Sequence, residues 1–280
     1  MNRRDGILAR TFRSDTHVKL HYETLGQGEP LIILHGLFGS GANWRSIAQC
    51  LADRWQVILP DLRNHGDSPH APTNRYQDIA GDTLALMDRL GLARAHLLGH
   101  SLGGKAAMLL ASRAAERIDS LTVVDIAPRA YPPLHLELFR AMHAVPLARI
   151  TSRREASEAM AAHIPNPAVR DFLLTNLARD GNGRFHWRLN LAVLEEAYED
   201  LNAMPFLDRL YEGPTLFIRG GHSDYVRDAD LGLIHQSFPM ACVVSLPLAH
   251  HWPHVETPNE FVRALRDFLE AHLERLPCEA

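Results

Sequence analysis

Few short segments dictate their surroundings as firmly as Gly99-His100-Ser101-Leu102-Gly103. It follows the apolar run His96-Leu97-Leu98 and opens a stretch of small and apolar residues over 102–115. A serine between two glycines at a strand-to-helix junction reads as a nucleophile elbow. The turn is sharp and the flanking side chains would collide, so glycine is required on both sides. The serine hydroxyl is lifted clear of the sheet, above a helix N-terminus that supplies free N–H groups and partial positive charge.

An elbow needs a parallel sheet around it, and the rest of the chain is patterned for one. Short apolar runs recur at 31–34, 57–59, 96–98, 121–124, 215–218 and 241–244, and residues 17–24 alternate as a half-exposed strand would. Helical patterns lie between them, over 43–53, 76–90 and 102–115, and a last one covers 258–273. Fully apolar strands alternating with helices imply a mostly parallel central sheet covered on both faces. The rhythm breaks after Pro128: residues 130–205 carry helical patterns, a Gly181-Asn182-Gly183 turn and no run suited to the central sheet. The expected organisation is an α/β core of residues 1–129 and 206–280, interrupted by a helical cap over 130–205.

A serine hydroxyl is a weak nucleophile at neutral pH and needs a base. On this type of elbow the chain order is serine, acid, histidine. The histidine must then come late, and His250-His251-Trp252-Pro253-His254 is the place for it. Two aspartates follow strands at suitable positions, Asp125 and Asp224, and either could hold the imidazole in the right tautomer. The developing oxyanion needs two backbone N–H donors. Leu102 supplies the one after the nucleophile, and Leu37, in His35-Gly36-Leu37-Phe38-Gly39-Ser40, supplies the other. Phe139, Met142, Phe172, Phe185 and Trp187 of the insertion, with Trp252, are candidate walls of an acyl pocket, each also suited to plain packing.

These blocks resemble the α/β-hydrolase superfamily over nearly the whole chain. Asp61-Leu62-Arg63-Asn64-His65-Gly66-Asp67-Ser68 is similar to that superfamily's Asp-x-Arg-Gly-His-Gly-x-Ser loop, with Asn64 in the glycine's place. Asparagine tolerates the left-handed backbone that glycine would adopt. With Gly-His-Ser-x-Gly-Gly-Lys, Asp-Ile-Ala-Pro and the Gly220–Val226 block, the chain looks like the small bacterial YbfF-type esterases. The resemblance implies hydrolysis of short- to medium-chain acyl esters or acyl-CoA thioesters, with the insertion as a cap. It implies His251 as base and puts Asp125 ahead as acid, with Asp224 kept as the alternative. Two departures stand against the pattern: Asp224 occupies the position most α/β-hydrolases use for the acid, and His250 stands where the family commonly has glycine.

Neither metal nor organic cofactor is expected. The seventeen histidines are scattered, form no His-Glu-x-x-His helix, and are expected mostly in loops or on the surface. Cys50, Cys242 and Cys278 fit no metal knuckle; the first two are expected to be buried and the third near the C-terminus. The net charge of −4 and the lack of a long basic run argue against a nucleic-acid partner. Met1-Asn2-Arg3-Arg4-Asp5 lacks a secretory signal's apolar core and no run is long enough to span a bilayer, so a cytoplasmic protein acting on a small-molecule ester or thioester is expected. The oligomeric state is not encoded legibly. The same framework would serve a carbon–carbon bond hydrolase, a lactonase, a perhydrolase or a non-catalytic receptor. A haloalkane dehalogenase would carry aspartate where Ser101 stands.

Overall fold

The computed structural model describes residues 17–273. Met1–Asp5 and Cys278, both used above, lie outside the described residues. The apolar runs become strands slightly longer than their apolar cores: β1 (Tyr22–Leu25), β2 (Glu29–Leu34), β3 (Trp55–Pro60), β4 (Ala95–His100) and β5 (Ile118–Val124). Between them lie α1 (Arg45–Leu51), α2 (Tyr76–Arg89) and α3 (Leu102–Arg113). After the insertion come β8 (Thr215–Gly220), α9 (Leu231–Ser237), β9 (Ala241–Leu246), α10 (Pro253–Glu256) and α11 (Pro258–Leu273). The expected helix over 43–53 is split, with a 3-10 turn at Gly41–Trp44 leading into α1.

Seven strands form one sheet in the order β1-β3-β2-β4-β5-β8-β9. β1 is antiparallel to β3, and every other pair is parallel. Side chains alternate across a strand, so each strand feeds two cores. Ile32, Leu34, Leu97, Leu121, Val123 and Phe217 face the layer that includes α2 and α3. Leu31, Ile33, Leu98, Val124, Leu216 and Ile218 face α1 and α11. That two-sided burial is why these strands read as unbroken apolar runs. β9 forms the sheet's edge, which explains why Cys242 is exposed. Cys50, on the outer side of α1, is exposed too, so neither cysteine is the buried apolar residue expected of it.

Between β5 and β8 the chain builds α4 (Leu136–Ala144), α5 (Arg153–Met160), α6 (Pro167–Leu174), α7 (Leu191–Glu196) and α8 (Tyr198–Asn202). β6 (Leu177–Arg179) and β7 (Phe185–Trp187) form a separate antiparallel hairpin around Gly181–Gly183, which the sequence pattern does not announce. This segment has its own apolar core of Phe139, Met142, Met160, Leu173, Leu177 and Leu194, among others, joined by Phe38 from the loop after β2. Phe139 is fully buried and meets Phe38 edge-on at 4.9 Å between ring centroids. Phe139→Ala is expected to cost about 3–5 kcal/mol, because the surroundings cannot collapse onto the vacated space. A fall in the urea midpoint at unchanged m-value would record it.

No helix among the described residues is long and apolar enough to cross a membrane. Among the described residues, four non-glycine residues have positive φ: Phe38 (62°), Asn64 (64°), Ser101 (52°) and Asp125 (48°). Each follows the carboxyl end of one of four strands, β2 to β5, so the backbone strain collects along one edge of the sheet.

Candidate active site

The elbow is built as its glycines demand. A Cβ on Gly99 would lie 2.2 Å from the Gly103 carbonyl oxygen, and one on Gly103 would lie 2.3 Å from that of Leu34. With φ 52° and ψ −114°, Ser101 turns β4 into α3, and its own N–H donates to the Val124 carbonyl at 3.1 Å. Leu102 begins α3, so its N–H is among those without an intrahelical acceptor. Leu37 lies in the loop after β2, and the same cleft wall carries Leu37, Ser101 and His251.

Asp125 and His251 meet directly. Asp125 Oδ2 lies 2.8 Å from His251 Nδ1, and the aspartate is fully buried. A carboxylate only accepts, so Nδ1 carries the hydrogen and Nε2 is left with its lone pair. Gly220 N–H donates to Asp125 Oδ1 at 3.0 Å, and the Ser223 hydroxyl donates to Oδ2. Asp224 is placed quite differently. Its side chain is 96% exposed and faces Arg227, with 3.7 Å between Oδ1 and Nε. Ser101, Leu37, Leu102, Asp125 and His251 therefore converge on one region, and Asp224 stays in solvent.

Besides Asp125, two neighbours hold His251, one through its ring and one through its backbone. Tyr225 stacks on it at 3.8 Å and 19°. His100 Nε2–H donates to the His251 carbonyl at 2.8 Å. Burial, and then the neighbouring His251, push His100 well below the usual histidine range. His135, the residue just before α4, is brought down to about 4 by burial and then by His251. His254 is brought down to about 3 for the same two reasons. These neighbours are neutral at physiological pH and set no rival positive charge against an imidazolium at His251.

Several expectations change here. His254 is no loop residue: it is buried, with its ring face-to-face on Trp44 at 3.9 Å. His35, His65, His96 and His100 are buried as well, so these histidines are built into the core rather than set on the surface. His250 does point away: its side chain is 65% exposed, and its backbone N–H donates to Glu256 at 2.5 Å. Of the candidate pocket walls, Phe172 and Trp252 line the cleft and pack together at 5.6 Å, whereas Phe139 and Met142 are fully buried in the insertion and Phe185 and Trp187 pack with its core. Ser223 and Tyr225 were visible only as part of a similar block, without a role; their positions on Asp125 and His251 come from the fold. Asn64 takes its left-handed turn and also bridges to the insertion. Its Oδ1 accepts from Ala71 N–H and from Asn190 Nδ2, at 2.8 and 3.0 Å.

Among the described residues, one set of potential metal ligands lies close together: His21, Asp61 and Asp67. Asp61 is committed elsewhere, accepting the N–H groups of Gly41 and Asp67 at 2.8 Å each, and Arg188 pairs with Asp67 at 2.8 Å.

Comparison with known proteins gives a consistent picture. Residues 29–258 match the profile of the alpha/beta hydrolase fold family. The chain is 37% identical to the sn-1-specific diacylglycerol lipase ABHD11 of Danio rerio, over 96% of this chain and 88% of that one. It is 36% identical to esterase YbfF of Escherichia coli, over 86% of this chain and 92% of that one. Among solved structures, a marine microorganism esterase superposes with a TM-score of 0.88 at 36% identity, covering 90% of this chain and 99% of its own.

Proposed function

From the premise that this chain belongs to the alpha/beta hydrolase fold family, we propose that it cleaves small carboxylic esters or thioesters through a Ser101–His251–Asp125 triad. Esterase- or lipase-type hydrolysis follows from the family and from the named relatives. The observation that carries the triad is the 2.8 Å contact between Asp125 and His251, on the cleft that Ser101 also lines.

In this reading Ser101 Oγ attacks the acyl carbonyl while His251 Nε2 takes its proton. Such base help is worth about 10²–10⁴ in rate. The N–H groups of Leu37 and Leu102 hold the oxyanion, each worth about 10²–10³. His251 then protonates the departing alcohol or thiol, and water repeats the sequence on the acyl-enzyme. Ser223 and Gly220 position Asp125 by filling its other lone pairs. Residues 130–205 act as a cap on a core of 1–129 and 206–280, delivering His135, Leu138 and Phe172 to the cleft.

The test is hydrolysis of p-nitrophenyl esters from acetyl to dodecanoyl. Turnover is expected to peak among the short and medium chains. A peak at dodecanoyl would move the reading toward a glyceride lipase, the activity in the name of the Danio rerio relative. Inertness along the whole series, in folded protein, would overturn simple-ester hydrolysis and direct attention to acyl-CoA thioesters.

A further inference from the structure

We infer that Lys105 is a recognition residue for an acyl group that carries its own carboxylate, bound on the Leu102 side of Ser101. The inference rests on the esterase reading above and names its substrate class. Lys105 lies in the first turn of α3, just beyond Ser101 at its N-cap, and its N–H donates to the Ser101 carbonyl at 3.1 Å. The residue is 2% exposed, yet its side chain reaches the wall of a cleft shared with Ser101, Leu102 and Tyr225.

The ammonium has no anion of its own. Nζ donates to the carbonyls of Asn202 and Ala203 at 2.9 and 2.7 Å. It lies 4.9 Å from the centre of the Tyr131 ring and 5.9 Å from that of Tyr76. Among the described residues no carboxylate pairs with it; the charge acting on it is Arg129, of the same sign. Burial, and then Arg129, bring its pKa down to about 7. Three N–H groups are available on an ammonium and two are used. A buried cation without a counter-charge is costly, and a cleft beside a nucleophile is where such a cost serves a ligand.

The two tyrosines whose rings face the ammonium have their hydroxyls engaged elsewhere. The Tyr76 hydroxyl donates to the Leu201 carbonyl and the Tyr131 hydroxyl to that of Tyr225, so both present ring faces to the cleft. The two backbone carbonyls explain a polar side chain at this position, but any neutral amide could satisfy them. What they do not explain is a charge. Its direction in the reaction follows from His251, which must protonate the leaving atom and which lines, with Phe172 and Trp252, a cleft that Lys105 does not reach. The leaving group takes that side and the acyl group takes the Lys105 side. A short diacid monoester is the simplest ligand to bring its ester to Ser101 and its free carboxylate to Lys105 within that one cleft.

The test compares monomethyl glutarate with methyl pentanoate by pH-stat titration, in the wild type, Lys105→Met and Lys105→Gln. The wild type is expected to have a kcat/KM for the glutarate ester at least as large as for its neutral partner. Both variants are expected to lower that ratio by about tenfold or more, Gln included, because it keeps an N–H but no charge. An unchanged ratio in folded variants would overturn the inference and leave Lys105 a structural clamp. A wild type that prefers the neutral ester by more than about tenfold would overturn it too, without any variant. If neither ester is turned over, the esterase reading fails on its own. Calorimetric titration of Ser101→Ala with monomethyl glutarate then decides Lys105: binding abolished by adding Lys105→Met upholds the inference, and no binding at all overturns it.

Discussion

Ser101→Ala is expected to lower kcat for the best p-nitrophenyl ester by about 10⁴- to 10⁶-fold, with the fold retained. The size of the loss follows from covalent catalysis. Without Oγ there is no acyl-enzyme, and His251 has no alcohol to activate. The Leu37 and Leu102 N–H groups and the cleft would still bind ester and polarise its carbonyl, which leaves the small residual rate. The fold should tolerate the change because alanine fits the space of serine and inherits the same φ of 52°. Steady-state kinetics beside a thermal melt separates the two effects. A variant that stays folded and keeps more than about a tenth of its rate would remove Ser101 from the chemistry.

Asp125→Asn should cost about 10⁴ in kcat, and Asp224→Asn should be silent. Asp125 has three donors pointed at it: Gly220 N–H, the Ser223 hydroxyl and His251 Nδ1–H. A carboxylate accepts all three with two oxygens, whereas an amide has one oxygen and an NH₂ that repels donors. If the amide oxygen faces His251, the NH₂ meets Gly220. If it faces Gly220, the NH₂ meets His251 and selects the tautomer with its lone pair on Nδ1. That tautomer carries its hydrogen on Nε2, where the base needs a lone pair. The Asp224 carboxylate faces only Arg227 and solvent, so its amide changes nothing in this network. Comparing kcat for the two variants on one ester checks both halves; equal losses would undo the assignment of the acid.

Much of the architecture is legible in the residues because its causes are local. Leu31-Ile32-Ile33-Leu34 can only be a strand buried on both faces, and a serine between Gly99 and Gly103 leaves little choice of turn. The β6–β7 hairpin escapes notice because strands of three residues carry too few positions to show a period. Strand pattern alone does not choose between Asp125 and Asp224, since both follow sheet strands; only the resemblance favours Asp125. Only the packing of β8 beside β5 brings Gly220 and Ser223 to one of them. Reading His254 as a loop residue overlooked Trp44, more than two hundred positions away, whose ring covers it. Lys105 sits in plain view after the elbow, but that it lacks an anion is a fact of three-dimensional neighbours.

The four left-handed residues at the ends of β2, β3, β4 and β5 bear on how this protein would respond to selection in the laboratory. Each holds a backbone shape that L-residues resist by about 1–2 kcal/mol. Two of them, Ser101 and Asp125, are the proposed nucleophile and acid. A screen that rewards heat resistance alone would find glycine attractive at just these places, and would collect enzymes that melt later and do less. Screens that score turnover alongside melting would leave this rim untouched and find their gains elsewhere, on the exposed helices and the outer strands.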